Sequence, residues 1–137
     1  MNVQRRMNIG DPLPELVVAT VDPEKMKIMA ALLRDPNMIH LDPAETARFG
    51  LGDRVVNQGP TNLGYVHTML AGWAGGEDRI RSTALRFRST VLAGDRVVAG
   101  GRVTAIRADG LVECEVWLDV AGGGRAVSGT ATVETPG

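Results

Sequence analysis

The chain is poor in cysteine. Cys114 is the only one in 137 residues, which excludes an internal disulfide and fits a reducing compartment. Apolar runs are short: none approaches the roughly 20 residues that span a bilayer. The N-terminal stretch MNVQRRMNIGD also lacks the apolar centre of a signal peptide. The expected location is therefore cytoplasmic, with no membrane partner. Excess positive charge is missing as well. A formal net charge of −1 argues against a nucleic-acid partner, because a basic surface supplies most of that affinity. Only two histidines are present, His40 and His67, and neither stands in a Cys/His/carboxylate cluster, so no metal site is expected. Gly122-Gly123-Gly124 lacks a strand–loop–helix context and reads as a loop rather than a phosphate cradle. No internal repeat, linker or low-complexity tract interrupts the chain. What remains is 44% hydrophobic and 23% charged, an ordinary globular composition. The length suits one domain, 1–137, able to bury a core without staples.

Local signals divide the chain into a helical first half and a stranded second half. Leu16 to Val21 reads as a first strand. Asp22 then suits an N-cap with Pro23 at the first helical position. Met26, Met29, Leu32 and Leu33 follow at helical spacing and predict one apolar face. Asp35-Pro36 stops that helix. Asp42-Pro43 starts a second, with Glu45 as a capping-box partner and Gly50 as the C-terminal glycine, giving a short helix over Ala44–Phe49. A third helix, from Thr61 to about Trp73, carries few charges and is expected to be buried. Gly64 and Gly72 within it lower helix propensity, which points to close packing of backbone or ligand against that helix. Beyond Ile80 the pattern turns to strands: Ile80–Ala93, Arg96–Arg107, Leu111–Ala121 and Arg125–Val133, with Asp109-Gly110 as a hairpin turn. Cys114 falls on the alternating face of the third of these and is expected to be packed rather than nucleophilic.

The densest chemistry lies in Asp35-Pro36-Asn37-Met38-Ile39-His40, which sets a carboxylate and an imidazole five residues apart on a helix-ending turn. Two readings stand on these residues alone. Asp35 is a helix stop and His40 a packed residue between Ile39 and Leu41, or the two form an acid–base pair. Adding water across an activated double bond requires one proton removed from water and one delivered to carbon, and both side-chain types can be tuned for that work.

The run Ala30–Gly59, AALLRDPNMIHLDPAETARFGLGDRVVNQG, resembles the hydratase motif of the MaoC-like, (R)-specific enoyl-CoA hydratase family. The matching positions are Asp35, His40, Leu41-Asp42-Pro43, Gly50 and Gly59. The segment Leu85-Arg86-Phe87-Arg88-Ser89-Thr90-Val91-Leu92-Ala93-Gly94-Asp95 resembles the family's strand and Gly-Asp turn, so the likeness covers nearly the whole chain. It implies an α+β fold, a single hot-dog domain whose long central helix is wrapped by a curved antiparallel β-sheet. It also implies a homodimer or higher homo-oligomer, or a heteromer with a second chain.

By the same resemblance the substrate is an acyl thioester and the reaction is hydration of a trans-2-enoyl thioester to a 3-hydroxyacyl thioester, or the reverse dehydration. Asp35 and His40 would be catalytic, and the Gly59 N–H would polarise the thioester carbonyl, as an amide at a helix N-terminus can. No cofactor is implied beyond the coenzyme A or acyl carrier protein that carries the substrate. The family often has His before this glycine and, in some members, Ser five residues after it. Here those positions are Gln58 and Gly64, and Gln58 or Asn62 is the expected replacement hydrogen-bonding residue. His67 is expected to be structural. Hot-dog chains also include thioesterases and subunits that shape a partner's pocket, and both readings stay open.

Arginines outnumber lysines and crowd the stranded half at Arg79, Arg81, Arg86, Arg88, Arg96, Arg102 and Arg107. A guanidinium donates two parallel hydrogen bonds to a phosphate, which makes Arg86 and Arg88 candidates for the carrier's phosphate. Their alternation with Leu85 and Phe87 equally fits the solvent face of a half-buried strand.

Overall fold

The structure is a computed structural model that describes residues 7–135. Residues 1–6, the start of the stretch expected to lack a signal-peptide core, lie outside it. Five strands form one antiparallel sheet: β1 (Leu16–Val18), β2 (Ile80–Phe87), β3 (Val97–Ile106), β4 (Leu111–Val120) and β5 (Arg125–Glu134), in the order β1-β3-β4-β5-β2. Three helices precede β2: α1 (Pro23–Leu33), α2 (Pro43–Arg48) and α3 (Gly59–Ala74). A single 3-10 turn, Met38–His40, links α1 to α2.

Sheet and core follow from period-two patterning. Along β4, Val112, Cys114, Val116 and Leu118 are buried while Glu113, Glu115, Trp117 and Asp119 are half-exposed, so one face turns inward. Against that face lies α3, whose buried positions Asn62, Val66, Met69, Leu70 and Ala74 recur every three to four residues. Each Val or Leu so buried contributes about 1.5–3 kcal/mol. The ladder shifts register between Ile80 and Ser82, between Val103 and Ala105, and between Leu118 and Asp119. Such irregularities bend strands and let the sheet curve around the helix. A long helix held in a curved antiparallel sheet is the hot-dog α+β arrangement.

Glycine is sterically required at two sheet positions. A Cβ on Gly101 would lie 2.6 Å from the Glu115 carbonyl oxygen, and one on Gly129 would overlap the Ala84 carbonyl. Neither backbone neighbour can yield without breaking the ladder. In α3, by contrast, a Cβ on Gly64 or Gly72 would meet nothing within 4 Å, so close packing among the described residues does not account for them.

Several boundaries differ from the sequence expectation. The first strand ends at Val18 because the chain bends at Ala19-Thr20, and Val21 instead exchanges hydrogen bonds with the Gly94-Asp95 turn. β2 ends at Phe87 because the amides of Arg88 and Ser89 both turn to the Ala126 carbonyl, leaving Leu92 to form an isolated bridge with Val56. In α1 the buried positions are Met26 and Ala30, while Leu32 and Leu33 are exposed. The capping box of α2 is half-formed. Asp42 accepts from the Ala44 amide, but the Asp42 N–H goes to Met38 O at 2.8 Å, and Glu45 faces Arg48.

Cys114 is 1% exposed, and burial pushes its thiol pKa up from the usual 9.0 to about 11. Two measurements test this packing. Gly129→Ala should lower unfolding stability by about 3 kcal/mol through backbone overlap, read as a fall in the urea midpoint. Cys114 should resist a thiol reagent at pH 8 in the native protein and react fully once the chain is unfolded in urea.

Candidate active site

Asp35 and His40 are brought together by the way α1 ends. Arg34 adopts the left-handed conformation (φ 52°) and donates to Ala30 O and Ala31 O. The Asp35 amide also returns to Ala30 O at 3.0 Å. Asp35 Oδ1 then accepts from the Asn37 amide (2.9 Å), an Asx turn of the kind Asp favours before proline. Its second oxygen, Oδ2, is left facing His40 Nε2 at 3.3 Å. The His40 residue is 8% exposed, whereas the Asp35 side chain is 30% exposed. The pair thus has one face in the protein and one toward solvent.

The second ring nitrogen of His40 settles the tautomer. Nδ1 lies 2.6 Å from the Val56 carbonyl oxygen, which can only accept, so Nδ1 carries the hydrogen. Neutral His40 therefore presents a lone pair at Nε2, toward Asp35 Oδ2. Two acceptors at that separation call for a proton between them, so the pair has a place to take one up. This is the geometry a general base requires.

Val56 belongs to a buried stretch, Val55–Gln58, that leads into α3. Its amide donates to Ile39 O at 2.9 Å, the Asn57 amide donates to Val91 O at 2.7 Å, and the Ala93 amide donates to Val55 O. Gly59 opens α3, followed by Pro60. Residues before proline resist helical geometry mainly through their Cβ, which glycine lacks. Pro60 has no N–H, and the Thr61 amide bonds Gln58 O, so among the first three helical residues the Gly59 amide alone is free at the positive end of the helix dipole. Gly59 follows Val56 by three residues, at most roughly 10 Å of chain.

The expected helpers take different parts. Asn62, 4% exposed, accepts from Asn57 Nδ2 at 2.8 Å, and Asn57 Nδ2 also reaches the Tyr65 hydroxyl at 3.3 Å. Gln58 is 1% exposed, and its Nε2 donates to Met26 O at 2.8 Å. Its Oε1 and the Thr61 hydroxyl are buried without a partner. An unpaired buried acceptor costs about 1–3 kcal/mol, while one hydrogen bond returns about 0.5–1.5. Arg86 and Arg88 are exposed at the end of β2, with Arg88 Nε bonded to Ser128 Oγ. Among the described residues neither makes a hydrogen bond or ion pair with Asp35 or His40. His67 is half-buried, with Nε2 3.1 Å from Thr83 Oγ1. Asn57, Tyr65 and the Val56 carbonyl were not singled out from sequence. A backbone carbonyl leaves no sequence signal, and the only one Asn57 offers is its polar side chain after two valines.

With fold and pair in place, the comparisons are coherent. Residues 6–116 match the family model described as a MaoC like domain, and the chain belongs to that family. No curated protein sequence matches it significantly. Among solved structures, the chain is similar to an (R)-hydratase from A. caviae involved in PHA biosynthesis, at 28% identity over 95% of this chain and 98% of that one, with TM-score 0.81. It is equally similar to a chain of the ChsH1-ChsH2 complex from Mycobacterium tuberculosis, at 28% identity, 96% and 100% coverage and TM-score 0.81. A mutant of the fluoroacetyl-CoA-specific thioesterase FlK shares the fold at 12% identity, 94% and 87% coverage and TM-score 0.65.

Proposed function

We propose that the protein is a hydro-lyase that adds water across a trans-2-enoyl thioester to give an (R)-3-hydroxyacyl thioester, or catalyses the reverse dehydration. The observation that carries this reading is the Asp35–His40 pair, with Nε2 and Oδ2 3.3 Å apart and the opposite ring nitrogen held by Val56 O. Family membership and the likeness to an (R)-hydratase support it.

In the hydration direction, Nε2 of His40 takes a proton from water as the water oxygen bonds to C3 of the enoyl group. Electron density moves into the thioester, where the Gly59 N–H receives the negative charge on the carbonyl oxygen. The proton on Nε2 passes by way of Asp35 to C2, and both side chains end in their starting forms. One water is consumed, with its hydroxyl on C3 and its proton on C2. No further cofactor takes part in this scheme, and coenzyme A or an acyl carrier protein enters only as the substrate's carrier. The exposed apolar side chains of α1, of the turn after it and of the stretch just past α2, Ile28, Leu32, Leu33, Met38, Phe49 and Leu51, suit an acyl chain or a partner surface. Among the described residues the outer edge of β2 is unpaired, and its centre, Ser82 to Leu85, carries no charge. Such edges accept another strand, so a second copy in an antiparallel dimer is the expected neighbour.

The likeness to a chain of a two-component complex favours one alternative, a subunit that works only beside a second hot-dog chain. The thioesterase alternative rests on shared fold alone. Purified protein should remove the enoyl absorbance of crotonyl-CoA or a longer trans-2-enoyl-CoA without releasing free thiol. Asp35→Asn and His40→Ala should each reduce kcat by at least ~100-fold while the chain stays folded, with His40→Ala lowering the thermal midpoint because it leaves Val56 O without its buried donor. Wild-type turnover in either variant removes the assignment, thiol release points to the thioesterase, and activity only on mixing with a second chain points to the heteromer.

A further inference from the structure

We infer that Gln58 is a positioning residue, which sets Asp35 against His40 by holding α1 to the start of α3. The proposal rests on the hydratase reading of the same site. Gln58 Nε2 donates to the carbonyl of Met26 (2.8 Å), in the middle of α1, where a carbonyl has a second lone pair to offer without leaving its helix. Met26 itself is 0% exposed, so this part of α1 is fixed by both its side chain and its backbone.

From Met26 the constraint runs along rigid backbone. Ala30 lies one turn further on, and its carbonyl receives both the Arg34 and the Asp35 amides. A shift of α1 at Met26 is therefore carried to Asp35. His40 is held from the same short segment, through Val56 O and the Ile39 O to Val56 N bond. Both members of the pair are thus referred to residues 56–58, one through the imidazole and one through α1. Gly59, the amide assigned to the thioester oxygen, is the next residue.

Stability does not account for this amide. Gln58 Oε1 is buried with no partner, and an orphaned acceptor costs at least as much as the single Nε2 bond returns. An apolar side chain of similar volume would serve the core equally well or better. What such a side chain lacks is the donor that fixes α1.

The experiment compares Gln58→Met, which keeps volume and removes the donor, with Gln58→His, which keeps a ring N–H of similar reach. Thermal midpoint, kcat and KM on crotonyl-CoA, and crystal structures are measured for both and for the wild type. Gln58→Met should retain or raise the thermal midpoint, lose roughly 10–100-fold in kcat as outer supporting contacts typically do, and change KM little. Its Asp35 Oδ2 to His40 Nε2 separation should exceed the 3.3 Å of the wild type, and Gln58→His should recover most of kcat. Unchanged kcat in Gln58→Met, an unchanged Asp35–His40 separation, or equal losses in both variants that follow a lowered midpoint would each overturn the proposal. A wild type that hydrates no thioester, beside a Gln58→Met structure in which the pair has separated, would remove the hydratase reading while leaving the positioning role standing.

Discussion

The contact on which the site depends is the hydrogen bond from His40 Nδ1 to the Val56 carbonyl, 2.6 Å long and buried. Because a carbonyl has no proton to give, the bond places the ring hydrogen on Nδ1 and leaves Nε2 basic. Without it the imidazole could take the other tautomer and donate from Nε2 to Asp35, and the ring would have no lone pair on the side that faces the carboxylate. A single backbone oxygen thus decides which ring nitrogen faces Asp35 with a lone pair.

That oxygen is reliable because its segment is tightly held. Val55 and Asn57 pair with Ala93 and Val91, the Val56 amide pairs with Ile39, and all four residues from Val55 to Gln58 are buried. The 91–95 turn is itself fixed, since Asp95 accepts from the Leu92 amide and meets Arg54 at 3.1 Å. Gly59 then enters α3 directly from this rigid stretch. Functional groups on irregular backbone are useful only when a scaffold immobilises them. Here the scaffold is a buried extended segment between two helices.

The legible part of the fold was its local chemistry. Asp22-Pro23 and Asp42-Pro43 are the helix starts that the sequence indicated, and both aspartates accept from an amide of the following first turn. Gly94, Gly110 and Gly122 turn the chain with positive φ where the strand patterns break. The alternation around Cys114 assigned it to the core. Misreadings occurred where a distant partner competed with local preference. Glu45 lost the capping-box bond because Met38 O reaches the Asp42 amide first. The strand from Ile80 stopped at Phe87 because the Ala126 carbonyl draws the chain out of the ladder. Leu32 and Leu33 matched a helical apolar stripe, yet the core touches α1 through Met26 and Ala30.

Sequence by itself determined which residues could do chemistry here: one carboxylate and one imidazole five apart on a helix-ending turn, and a glycine ahead of a proline-started helix. Those are matters of covalent spacing and local backbone preference, and they are complete within a few residues. Tertiary structure alone decided how the residues are used. The tautomer of His40 is set by an oxygen 16 residues away. The role of Gln58 is set by a carbonyl 32 residues away. Both contacts involve a backbone carbonyl, which every residue carries, so no residue type could announce them. Only the fold brings those carbonyls to the side chains that need them.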